Sequence, residues 1–136
     1  MNMVNVVVSA VLRSPLHGLL SGSTDLVCYT GRRSGKQFTT PTQYVRDRNG
    51  VVILVGSPEA KGWWKNFRDE RDVELLMGRR WMPMTARALV GADEPAAVAP
   101  LLDAYLRRFP RAARAFGADT GESRARRAVV VWCQPR

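Results

Sequence analysis

Apolar residues along this chain fall mostly in short bursts separated by glycine-containing polar turns, with one stretch of helical spacing near the C-terminal end. The bursts predict strands over residues 25–30, 38–45, 51–55, 73–77, 81–90 and 128–133. Gly31-Arg32-Arg33-Ser34-Gly35-Lys36 reads as a turn, and Asp47-Arg48-Asn49-Gly50 as a hairpin turn in which Asn-Gly is the strongest signal. Val51-Val52-Ile53-Leu54-Val55 is continuous rather than alternating, which suits a strand buried on both faces. Gly78-Arg79-Arg80 closes a second hairpin.

Four helical stretches break this pattern. Val4, Val8, Val11 and Leu12 predict an N-terminal helix within residues 3–21, broken near Ser14-Pro15. Trp63, Trp64 and Phe67 have helical spacing and predict a short helix over 62–71. Asp93 as N-cap and Pro95 in the first turn open a longer helix. Its apolar face is Val98, Leu101, Leu102, Tyr105, Leu106 and Phe109, and Pro110 stops it. A short helix over 111–116 ends at Gly117, and residues 118–125 read as polar loop.

Tight turns between consecutive strands predict a mostly antiparallel sheet. Six strands with few helices protect their edges best by curling. The expected fold is therefore α+β: a six-stranded split β-barrel with an N-terminal helix, a Trp-rich short helix and a C-terminal helix before the last strand. At 136 residues the chain reads as a single domain, residues 1–136, and is too short for a TIM barrel.

Charge narrows the partners. Twenty-one Lys+Arg against twelve Asp+Glu leave a net +9, which favours anionic partners: nucleic acid, an anionic membrane face, or a phosphorylated or polycarboxylate ligand. Cys28 and Cys133 sit in apolar runs and read as small buried hydrophobes. With His17 as the only histidine they cannot complete a four-ligand zinc site, so no metal is expected. The apolar run 4–12 lacks the flanks of a signal peptide, and nothing approaches the roughly 20 residues of a membrane span. A cytoplasmic protein is expected, with peripheral membrane association as the variant.

Three segments could carry chemistry. In Gly31–Tyr44 a Gly-bounded basic turn can offer backbone amides and guanidinium forks to an anion, although it lacks P-loop spacing. Lys61–Arg68 carries two adjacent tryptophans that cannot face the same way: one belongs to the core and the other to a pocket or interface, with Asn66 as a cap or loop tie. Arg107, Arg108, Arg111, Arg114, Arg124, Arg126 and Arg127 form a cationic set, read first as a solvated face and second as a nucleic-acid or lipid patch. No nucleophile elbow or acid–base pair stands out, so reactivity in an enzyme would come from a bound cofactor.

Residues 30–91 resemble the deazaflavin-dependent nitroreductases of actinobacteria. The resemblance rests on Thr30-Gly31-Arg32-Arg33-Ser34-Gly35-Lys36, Thr39-Thr40-Pro41, Tyr44-Val45-Arg46-Asp47 and Trp63-Trp64-Lys65-Asn66-Phe67, in that order. It implies a split β-barrel related to flavin oxidoreductases. The implied cofactor is coenzyme F420, a deazaflavin with a phosphate and a polyglutamate tail; flavin mononucleotide is the second choice. Arg32, Arg33 and Lys36 would contact the tail, with Ser34, Phe38, Thr39, Thr40 and Pro41 beside them. Val55, Gly56 and Ser57 would approach the ring, and Lys61, Trp63 and Trp64 would flank the phosphate or ring. The implied chemistry is hydride transfer to a quinone, nitro compound or enone, and the family's paired barrels imply a homodimer. Gln37-Phe38 stands where the family carries Pro-Arg, and the loop 56–63 is shorter than the family's.

Two other readings stay open. One is a non-catalytic carrier of a fatty acid or similar amphiphile, with Phe38, Trp63 and Trp64 lining the groove. The other is a nucleic-acid-binding module that exploits the positive charge.

Overall fold

A computed structural model describes residues 24–136. The N-terminal helix expected within 3–21, and His17 with it, lies outside the described residues. Strands β1 (Thr24–Thr30), β2 (Gln37–Gln43), β3 (Val45–Asp47) and β4 (Gly50–Leu54) come first. A 3-10 turn (Trp63–Phe67) leads to β5 (Arg71–Met77) and β6 (Arg80–Val90). Helix α1 (Pro95–Arg108), a 3-10 stretch (Pro110–Phe116), the short α2 (Gly121–Arg126) and β7 (Val129–Pro135) complete it.

The strands form one sheet in the order β2-β1-β5-β6-β7-β4-β3, antiparallel at every pairing. Its two outermost strands, β2 and β3, are separated in sequence only by Tyr44. One chain segment thus supplies both edges, and the sheet has to curl until they meet. This explains why the described residues hold seven strands rather than six. The stretch expected as one strand over 38–45 breaks where the buried Tyr44 joins the side chains of the barrel interior.

Strict alternation then sorts the side chains. Val27 and Tyr29 of β1, Val51 and Ile53 of β4, and Val129, Val131 and Cys133 of β7 fill the interior. Val52 of β4 and Val130 of β7 point to the opposite face, where α1 covers them with Val98, Leu102, Tyr105 and Leu106. The continuous apolar run in β4 is therefore buried on both sides, as its composition predicts.

Several boundaries differ from the sequence reading, each for a local reason. In the β3–β4 turn the central residues are Arg48, with φ 56°, and Asn49, while Gly50 is already paired with Asp47. Gly50 is needed because the Trp132 ring lies against it, and a Cβ there would overlap the indole. The cap of α1 is Glu94, one residue later than expected, with Pro95 at the first helical position. The expected helix over 62–71 is a 3-10 turn, in which residues three apart eclipse, so Trp64 and Phe67 are buried together. Residues 118–125 are not all loop: α2 forms there, pinned by buried Ala125 and by the Glu122–Arg126 pair one turn apart. It is too short and too polar to show apolar periodicity.

Candidate functional site

The turn between β1 and β2 is closed by its own backbone. The Gly31 amide donates to the Lys36 carbonyl (2.7 Å) and the Gly35 amide to the Gly31 carbonyl (3.1 Å), with Gly35 at φ 69°. The turn is also tied to a distant segment. The Arg32 amide donates to Asn66 Oδ1 (2.8 Å), while Asn66 Nδ2 donates to the Trp63 carbonyl (2.8 Å). Asn66 is the loop tie its position suggested, and it holds three cations beside the tryptophan turn. Arg32, Arg33 and Lys36 are exposed, and none forms an ion pair among the described residues.

Between turn and tryptophans lies a cleft of about 450 Å³, lined by Tyr29, Arg32, Arg33, Ser34, Phe38, Trp63, Lys65 and Asn66. Phe38 is 43% exposed, the only large apolar side chain so exposed among the described residues. It stacks on Tyr29 (5.8 Å between ring centroids, 26° between planes). Tyr29 meets the buried Phe67 edge-on at 5.3 Å, and Phe67 meets Trp63 edge-on at 6.1 Å. One aromatic chain thus runs from the rim at Phe38 through the core to Trp63.

Trp63 also walls a second cleft, of about 550 Å³. Thr40, Pro41 and Thr42 of β2 form one side. Leu54, Val55 and Gly56 at the end of β4, with Lys61, form another, and Tyr105, Ala112 and Ala115 close it from the helical side. Beneath Thr42 sits Asp25, fully buried, with Oδ1 hydrogen-bonded to Thr42 Oγ1 and Oδ2 without a partner. Burial outweighs that hydrogen bond and raises its pKa to about 7.

The expected site residues thus divide between two adjoining clefts. Arg32, Arg33, Ser34 and Phe38 line the first, Thr40, Pro41, Val55, Gly56 and Lys61 the second, and Trp63 both. Lys36 is on the basic turn but lines neither cleft, and Ser57, at φ 49°, lines neither. Thr39 alternates away from Phe38 and Thr40, its Oγ1 buried without a partner. Trp64 belongs to the core: it is 5% exposed, its indole N–H donates to the Pro58 carbonyl (2.9 Å), and Arg68 lies over its ring. Sequence reasoning did not find Asp25, Thr42 or Tyr105. Counting back from the Gly31–Lys36 turn pairs Asp25 with Thr42, and that register was the available signal.

The arginines of the helical side divide: Arg107, Arg108, Arg111 and Arg114 are exposed and form no ion pair among the described residues, whereas others are paired. Arg124 pairs with Asp103, Arg126 with Glu122, Arg127 with Asp119 and Arg87 with Glu94. Among the described residues no cluster of three His, Cys, Asp or Glu could hold a metal, and no helix is long and apolar enough to cross a membrane.

Comparison with known proteins agrees with the expected family and the split barrel. Residues 12–121 match the model of the F420H(2)-dependent quinone reductase family. This chain belongs to that family. A Mycobacterium tuberculosis protein whose name carries the same activity provisionally, Rv3178, is 33% identical over 86 residues, covering 60% of this chain and 71% of that protein. The F420H(2)-dependent quinone reductase Rv1261c of the same species is 30% identical over 67 residues, covering 47% of this chain and 45% of that one. The chain therefore spans less than half the length of this second relative. A solved F420-H2 dependent reductase superposes with a TM-score of 0.64 at 19% identity, over 84% of this chain and 96% of that one. At that identity the likeness concerns the fold alone.

Proposed function

We propose that this protein is an F420H2-dependent oxidoreductase that reduces a small two-electron acceptor of the quinone, nitro or enone type. The observation that carries the reading is the Asn66 tie, which makes unpaired cations and Trp63 two walls of one cleft. The donor set fits coenzyme F420. Arg32 and Arg33 present guanidinium forks suited to phosphate or carboxylate, and Lys36 adds a third charge on the same turn. Phe38 and Trp63 offer flat apolar faces beside them, and the second cleft continues past Trp63 to Val55 and Gly56.

When bound, reduced coenzyme F420 supplies a hydride. The chain's own residues hold, orient and shield. The basic turn takes the anionic tail. Trp63, Val55, Gly56 and Lys61 border the ring, and Thr40, Tyr105, Ala112 and Ala115 wall the acceptor from water. The test is the reoxidation of reduced F420 by menadione, followed optically. The reading requires reoxidation that scales with protein and falls when Arg32 and Arg33 are both replaced by Ala. No protein-dependent reoxidation, or an unaffected double variant, contradicts it.

A further inference from the structure

Asp25 is the only charged side chain among the described residues that is wholly buried. A structural role would satisfy both of its oxygens, and a threonine or asparagine would perform that role without the cost of a buried ionisable group. Instead Oδ2 has no partner, and Oδ1 is held by Thr42, its direct cross-strand neighbour. Thr42 also faces the second cleft. A carboxyl inside the barrel is thereby joined by one hydroxyl to the space where an acceptor would sit.

We propose that Asp25 and Thr42 form a proton relay that delivers a proton from the barrel interior to an acceptor oxygen in the second cleft. The proposal rests on the reading that a hydride acceptor occupies that cleft. A quinone that gains a hydride is reduced by two electrons and carries an oxygen anion. The Thr42 O–H bond breaks as the O–H bond forms on that oxygen. The Asp25 carboxyl proton passes to Thr42 Oγ1, and after the product leaves, the carboxylate regains a proton from cleft water back through the Thr42 hydroxyl. The hydride donor is oxidised, and the acceptor leaves with one hydride and one proton added.

The surroundings suit this traffic. With its proton on, the carboxyl can donate to Thr42 Oγ1, which frees the threonine hydrogen to turn toward the cleft. Desolvation keeps that proton in place up to about pH 7. The titratable groups that face Asp25 are Tyr105 of α1 and Cys133 of β7. Burial, and then the charge of Asp25 itself, raises the pKa of both, so they stay protonated while Asp25 titrates. β2 and β5 place the uncharged Thr42 and Met77 beside it, and Lys61 stands on the cleft wall.

The experiment is infrared spectroscopy of the protonated-carboxyl C=O band, with menadione and without cofactor, joined to a pH profile of turnover. Wild-type protein should show a band that titrates near neutrality and shifts when menadione is added. Asp25→Asn should lack the band. Thr42→Val should keep it but lose the shift, and Thr42→Ser should restore the shift. In turnover, Asp25→Asn and Thr42→Val should lower kcat by about 100-fold at neutral pH with F420 affinity unchanged. Thr42→Ser should recover most of that loss. A band indifferent to menadione, or kcat unchanged in both variants, overturns the relay. Absence of F420 binding by wild-type protein overturns the function proposed above instead, and the menadione-induced shift still decides the relay.

Discussion

The two sides of the barrel differ in what stands beside their charges. On the side covered by α1, Arg87, Arg124, Arg126 and Arg127 each meet a carboxylate, while Arg107, Arg108, Arg111 and Arg114 face solvent without one among the described residues. A groove of about 370 Å³ lies there too, and its Arg87 is held by Glu94. On the cleft side, Arg32, Arg33 and Lys36 stand without carboxylates, and Phe38 is exposed beside them. Below the adjoining cleft, Asp25 is buried with half its hydrogen-bonding capacity unused. Paired charges and filled cores serve stability, whereas unmatched charge marks a ligand site where an exposed aromatic and a cleft adjoin it. The net +9 is thus less informative than which unmatched cations stand beside an exposed aromatic and a cleft.

The largest effect should come from the cleft side. The Asp25 pKa is raised from 3.8 to about 7 in the folded state, so the folded protein holds this proton more tightly than the unfolded chain. Its stabilising contribution is full below about pH 4 and is lost as pH rises through about 7. The shift corresponds to a loss on the order of 4 kcal/mol. Denaturant unfolding at pH 4 and pH 8 should show the difference, and Asp25→Asn should remove most of it. On the opposite side, Leu102→Ala opens a cavity in the cluster between α1 and the sheet and should cost about 3 kcal/mol. Its F420 affinity should stay within about twofold of wild type, since Leu102 lines neither cleft.

Smaller effects sharpen the contrast. Arg33→Ala should weaken F420 binding by about 10-fold, the scale of one charge-assisted hydrogen bond, and leave the unfolding midpoint unchanged. Asn66→Ala removes both ends of the tie between the walls of the first cleft. It should cost about 1 kcal/mol of stability and also weaken cofactor binding, a pairing that Arg33→Ala does not show. Arg126→Ala breaks an exposed pair within α2 and should change stability by no more than about 0.5 kcal/mol, with binding untouched. If Arg33→Ala behaved like Leu102→Ala, the division between the two sides would fail.

Much of this was legible in the chain because local chemistry and tertiary role coincide. The run 51–55 is apolar at every position because β4 is buried on both faces. Adjacent tryptophans had to diverge, and they do, Trp64 into the core and Trp63 to the clefts. Asn66 lies between aromatic residues with two polar ends to satisfy, and it ties two loops. What stayed hidden depends on distant partners. Tyr44 breaks an unremarkable strand pattern because the sheet's two edges meet there. Asp25 looks like the polar start of a strand, since nothing nearby reveals that the barrel closes over it. Gly50 resembles a turn glycine, although its reason is the Trp132 ring more than eighty residues away in sequence.

The central claim is that the basic turn grips the anionic end of a deazaflavin. Titration of the protein with coenzyme F420, followed by fluorescence at low and high salt, tests it most directly, with Arg33→Ala and a long-chain fatty acid run alongside. The account predicts saturable F420 binding that weakens with salt and with the substitution. Binding indifferent to both, or no F420 binding beside saturable fatty-acid binding, would contradict it.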